Sequence, residues 1–163
     1  MENPYSPPAF ESIAAPQLTL YSPGQMAWAT FLGAPVAGCV LLALNCKRLG
    51  HSAAAGIALV GGFAVTVLLL VVSFFLPDNF PNLALPAAYT FGMYQCVKLL
   101  QGKEYEHHLA IGGTRGSGWV ATGVGILCLI LILVAMFAVL FAMPDEWFGE
   151  EVAQLLSTSA PPA

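Results

Sequence analysis

Long stretches of the chain are apolar on every helical face and carry no charge, and short clusters of polar, proline and glycine residues separate them. Between Glu11 and Lys47 lie 35 residues without Asp, Glu, Lys or Arg; Leu49 to Pro77 gives 29, Asn79 to Val97 gives 19 and Gly116 to Pro144 gives 29. A helix crossing a hydrocarbon core of about 30 Å needs roughly 20 such residues, so the pattern predicts four transmembrane helices. Runs such as VTVLLLVVSFFL and GILCLILILVAMFAVLFA lack the alternation of barrel strands. They suit helices against lipid, where each backbone group must be bonded within its own segment. The expected fold is an all-α integral membrane protein whose four transmembrane helices form two hairpins.

Capping chemistry sets the boundaries. In LYSPGQ, Ser22 suits an N-cap, Pro23 the first helical position and Gln25 the position that closes a capping box. Helix 1 is expected over 23–50, helix 2 over 52–76 up to Pro77, helix 3 over 81–101, and helix 4 over 117–143, with Ser117 as its N-cap and Pro144 as its stop. Residues 1–22 form a proline-rich tail. In 144–163, Phe148, Val152, Leu155 and Leu156 share one face, which predicts a short amphipathic helix at the interface, either anchoring there or docking on a partner. Trp147, Trp28 and Trp119 read as interfacial anchors.

Composition sharpens the class. Hydrophobic residues make up 58% of the chain and charged residues 9%, where soluble domains carry roughly 25% charged. A soluble domain, a disordered chain and, given the net charge of -4, a basic nucleic-acid binder are excluded. All five basic residues, Lys47, Arg48, Lys98, Lys103 and Arg115, fall between helices 1 and 2 or near the junction of helices 3 and 4. With Glu104 and Glu106 that face carries +3; Glu2, Glu11, Asp78, Asp145, Glu146, Glu150 and Glu151 give the other -7. Basic loops stay cytoplasmic, so both termini are expected outside. No cleavable signal is expected, because the first apolar stretch is long and lacks a basic leader.

Residues 32–49 laid on 83–100 place Leu32, Pro35, Ala37, Lys47 and Leu49 on Leu83, Pro86, Ala88, Lys98 and Leu100. The exits FFLPDNF and FAMPDEWF also match. An internal duplication of one hairpin would produce this echo; so would the narrow composition of membrane helices. The opening LYSPGQ, then ATFLG with Pro35, then NCKRLG and GGTRGSGW, resemble a group of small uncharacterised bacterial four-helix inner-membrane proteins. The resemblance spans most of residues 1–140. It implies a bacterial inner-membrane setting and no activity. The expected aromatic residue ahead of the basic pair is replaced here by Asn45 and Cys46.

Helices in lipid associate through close backbone approach at small residues. Helix 1 offers Gly33, Ala34, Ala37 and Gly38; Ala54, Ala58 and Gly62 line helix 2, and Ala121 with Gly125 line helix 4. Packing within one bundle is favoured over a homodimer seam. Helix 3, with Pro86, Tyr89, Thr90, Tyr94 and Gln95, is the least apolar. Pro35 and Pro86 are expected to bend helices 1 and 3.

Ionisable groups at membrane depth usually mark function, and no Asp, Glu, Lys, Arg or His falls near the middle of a predicted helix. Asn45 and Gln95, near the cytoplasmic ends of helices 1 and 3, are placed to bond each other. Cys39, Cys46, Cys96 and Cys128 lack CxxC spacing and read as small apolar residues. In KEYEHH, Glu104, His107 and His108, joined by His51, are the candidate metal ligands, with a solvated polar loop the favoured reading. GGTRGSG lacks the Lys-Ser/Thr end of a P-loop, and Ser117 has a capping position and no acid partner.

These features favour a non-enzymatic multipass protein that acts through helix contacts with a membrane partner, as an accessory subunit or an immunity-type protein, without a cofactor. The alternative is a small channel or carrier, homodimeric forms included. The lipid bilayer is the partner common to both, and neither involves nucleic acid. An enzyme ranks third and would need a bound metal.

Overall fold

In the computed structural model the described residues are 18–73, 75–77, 79–81 and 83–142. The expected N-terminal tail and the amphipathic helix of 144–163 fall outside them, apart from the few residues leading into the first helix. The chain is all-helical, with α1 over Pro23–Arg48, α2 over Ser52–Ser73, α3 over Ala84–Ala110 and α4 over Gly118–Ala142. Two-residue strands, β1 (Thr19–Leu20) and β2 (Thr114–Arg115), precede α1 and α4 and pair in parallel. By length and composition α1, α2 and α4 could each cross a membrane. The second half of α3 holds Lys98, Lys103, Glu104 and Glu106.

The main departure from expectation is that α1 is two helices. Gly33 (φ -119°, ψ 28°) and Ala34 (φ 60°, ψ 178°) are non-helical. The Gly-Ala-Pro sequence explains the break: Pro35 has no N–H to continue the ladder, its ring clashes with the preceding turn, and the residue before a proline is excluded from helical geometry. The first arm, α1a, covers residues 23–32 and the second, α1b, residues 35–48.

The break is a reversal. Tyr21 N donates to Asn45 Oδ1 and Asn45 Nδ2 donates to Tyr21 O, both at 2.9 Å. Arg48 Nη1 donates to the carbonyl and hydroxyl of Thr19, and its guanidinium lies 5.2 Å from the centre of the Tyr21 ring. In a straight helix Tyr21 and Asn45 would be about 36 Å apart. Near the turn, a side chain on Gly38 would run into the Thr30 hydroxyl and lie 3.1 Å from Met26 O. The arms, about 15 and 21 Å long, therefore lie against each other.

This hairpin is the centre of the molecule. Each of the other helices packs on α1, and they make little contact with one another. Helix α2 runs antiparallel to α1b, with Gly62 against Cys39 and Val36. Helix α3 runs parallel to α1b, Met93 beside Gly38 and Gln101 beside Asn45 and Cys46. Helix α4 runs parallel to α1a, since Gln25 Nε2 donates to Gly116 O at 2.8 Å and Gly125 abuts Ala29 and Leu32. The buried core, including Met26, Ala29, Ala37, Leu41 and Val97, forms around the hairpin.

Several expectations change accordingly. Pro35 ends one helix and starts another instead of bending a span. Pro86 is the third residue of α3, where its missing N–H leaves nothing unsatisfied, so it is no internal bend. Helix α3 continues to Ala110, which turns most of the expected inner loop into helix. The two halves of the chain are not like hairpins, for α1a has no counterpart. The internal echo starts at Leu32 and matches α1b to the start of α3; both stretches run in the same direction with proline in the first turn. The described chain enters beside Arg48 and Arg115, whereas α4 ends at the opposite end of the bundle. The positions expected for the two chain ends themselves lie outside the described residues.

The fold-back has a direct test. With the native cysteines replaced by alanine, spin labels at Gly24 and Lys47 should be separated by roughly 10–20 Å, as for packed antiparallel arms, and not by the roughly 35 Å of a continuous helix. Pulsed electron resonance in detergent or nanodiscs reads the difference.

Candidate functional site

Because the hairpin occupies only part of the length of the bundle, the outer helices continue past its tip with nothing between them among the described residues. Thr66 of α2 is level with Val36, Met93 of α3 with Gly38, and Cys128 of α4 with Gly33. Beyond these levels lies a pocket of ≈ 480 Å³. Ala34 and Pro35 form its floor, and Leu69 and Ser73 of α2, Pro86 and Tyr89 of α3 and Ile132 of α4 contribute to its walls. The connection through Pro77, Phe80 and Pro81 lies at its far side.

The floor is strained and polar. Ala34 has a backbone conformation that is essentially reserved for glycine and costs of order 1–3 kcal/mol. The reversal removes Val36 N–H from its place in the helical ladder, and Thr66 Oγ1 accepts it at 3.0 Å while donating to Gly62 O at 2.8 Å. Thr66 is thus the cap of α1b, supplied by another helix. The first turn of α1b gives the tip the positive end of a half-helix dipole. The hydroxyls of Thr66, Ser73 and Tyr89 are the polar side-chain groups on the wall, and among the described residues no Asp, Glu, Lys, Arg or His lines it.

The basic end is closed by a buried network. Asn45 is 1% exposed and, besides its pair of bonds with Tyr21, donates to Gln101 Oε1 at 3.3 Å; Gln101 Nε2 donates to Cys46 Sγ at 3.1 Å. The partner expected for Asn45 was Gln95, but Gln95 is exposed. The parallel register of α3 on α1b brings Gln101 to that level instead. Ser22 and Gln25 form the predicted capping box, and Arg115 Nη2 donates to Ser22 Oγ at 3.2 Å.

The small residues named from sequence sort by this geometry. A side chain on Gly33 would strike the Gly125 carbonyl, one on Gly62 would strike Cys39, and one on Gly125 would press on Leu32 and Ala29. Ala37 and Ala58 belong to or adjoin the core. Ala34 is different in kind: it makes the turn and faces the pocket. Glu104, His107 and His108 lie on the last turns of α3. Among the described residues no three His, Cys, Asp or Glu side chains come together to hold a metal. The His108 ring packs on Gly113, where a side chain would not fit. Ser117 takes the N-cap position of α4 through its carbonyl, which accepts from Ala121 N at 3.3 Å. Sequence reasoning missed Thr66, although it is the one hydroxyl in the run GFAVTVLLLVV, and missed Gln101 as the partner of Asn45.

Comparison with protein-family models, curated proteins and solved structures gives no match.

Two substitutions test the tip. Ala34→Gly should relieve the strained backbone and raise stability by about 1 kcal/mol. Thr66→Val leaves Val36 N–H unpaired in apolar surroundings and should lower stability by roughly 1–3 kcal/mol, with Thr66→Ser restoring most of the loss. Thermal unfolding in detergent provides both measurements.

Proposed function

We propose that the chain is a multipass membrane protein in which α2, α3 and α4 cross the bilayer and α1 enters and returns as a re-entrant hairpin. The resemblance of its opening motifs points to a bacterial inner membrane as the setting. With the basic end cytoplasmic, the described chain begins inside and α4 ends outside. Lys98 and the charges after it then lie at the cytoplasmic interface, and Ala84–Val97 provides the buried part of the α3 crossing. Irregular backbone at membrane depth is tolerated where it is buried in protein or lines a cavity, and Gly33–Ala34 meets both conditions.

The proposed activity is that of a small carrier or channel that admits an uncharged or weakly polar solute to the pocket at the hairpin tip. The observation that carries this reading is the helix break opening onto that pocket, an arrangement by which transporters build binding sites at mid-depth. The lining supports a neutral solute, since it combines hydroxyls with apolar walls and no ionised side chain. The closed network at Asn45 and the open pocket at the other end correspond to a state accessible from one side.

A second reading, action through helix contacts with another membrane protein, is supported by Gly56 and Gly61 of α2 and Gly123 of α4. Nothing lies within 4 Å of the place a side chain would occupy on these residues, which leaves room for close approach by a foreign helix.

Two measurements test the proposal. Substituted thiols at Leu18 and Lys103 should label from one compartment and a thiol at Asn79 from the other. In proteoliposomes the protein should accelerate the flux of small neutral solutes over protein-free vesicles. Ser73→Trp, which fills the pocket, should remove most of that gain, while Val67→Trp, outside the pocket lining, should retain it. Flux equal to that of empty vesicles, together with specific crosslinking to a second protein in native membranes, would favour the partner reading.

A further inference from the structure

We propose that the groove between the N-terminal turns of α1 and α4, at the basic end of the bundle, binds the phosphate of an anionic phospholipid headgroup. This site is separate from the pocket at the hairpin tip and does not depend on it. The groove has a volume of ≈ 480 Å³ and is lined by Gln25, Trp28, Arg115, Gly118, Trp119 and Thr122, among others, none of them acidic.

Three independent features converge there. The fold-back makes α1a and α4 parallel neighbours, joined at their starts by the β1–β2 pairing and the bond from Gln25 to Gly116 O. Two positive helix ends therefore lie side by side, a placement that favours an anion. The N–H groups of Gly24, Trp119 and Val120 stand in first turns, where no earlier carbonyl can accept them. Second, Arg115 is exposed and is tied to the groove wall through its bond to Ser22 Oγ. Its remaining N–H groups have no acceptor among the described residues and can fork onto phosphate oxygens, the geometry in which arginine binds phosphate best.

Third, Trp28 is 52% and Trp119 86% exposed. Tryptophans at the end of an apolar helix settle at headgroup level, so the groove opens toward lipid and its phosphate source is the bilayer. Basic pockets between membrane helices on the cytoplasmic side are a recognised form of headgroup site. Lys103 shares this end of the bundle but does not line the groove, which makes it a control for charge alone.

The full chain in phosphatidylcholine nanodiscs doped with phosphatidylglycerol, read by native mass spectrometry, tests the assignment. The wild type should retain phosphatidylglycerol over phosphatidylcholine by about fivefold. Arg115→Gln should abolish the preference and Lys103→Gln should leave it intact. Trp119→Ala, which removes an exposed side chain without disturbing the core, should weaken retention at least about twofold. Excess inorganic phosphate should not displace the lipid. The proposal is overturned if Arg115→Gln and Lys103→Gln act alike, if neither Arg115→Gln nor Trp119→Ala changes retention, or if inorganic phosphate competes.

Discussion

A chain that reverses direction in apolar surroundings must find partners for the backbone groups its helix gives up, because apolar neighbours offer none. The organisation of this protein follows from that requirement at Gly33–Ala34. Thr66 from α2 accepts Val36 N–H. At the other end Asn45 bonds both the N–H and the carbonyl of Tyr21, so the polar groups of the entering strand are satisfied by the departing helix. Within α1a the buried Thr30 hydroxyl donates to Met26 O, so it too is satisfied locally. A hairpin with these needs cannot face lipid, which is why α1 takes the centre and the outer helices surround it.

The small residues then acquire specific tasks. Gly33 and Gly125 let α1a and α4 touch backbone to backbone, Gly62 admits Cys39, and Gly38 admits the facing arm. Only short side chains at these positions allow one helix pair to fit inside a ring of three. The outer helices are held by the hairpin more than by each other, so the packing energy of the bundle is concentrated in α1, and the gap past its tip is the direct result of its short reach.

Much of this was legible in the sequence. The capping box at Ser22 and Gln25, the starts of α2 and α4 and the gathering of basic residues at one end all followed from local chemistry. The reversal did not, because a charge-free stretch of 35 residues satisfies the length and composition of a crossing whether or not it turns back; hydropathy counts residues and is blind to direction. Two residues held the clue. Ala34 sits between Gly33 and Pro35, and Asn45 is a buried amide whose partner had to come from somewhere. The pairing with Gln101 depended on the register of α3, which no local pattern encodes. The pocket was invisible for the same reason: its walls come from four separate helices, and it exists only because one of them stops short.

The central position of α1 also bears on how the molecule is made. Synthesis proceeds from the amino end, so the hairpin leaves the ribosome before the helices that enclose it. Until α2 emerges, Thr66 is absent and Val36 N–H has no acceptor; until α3 and α4 follow, the glycine faces have nothing to touch. The hairpin is therefore made before the helices on which its final form depends, and its unpaired groups need shielding until those helices arrive.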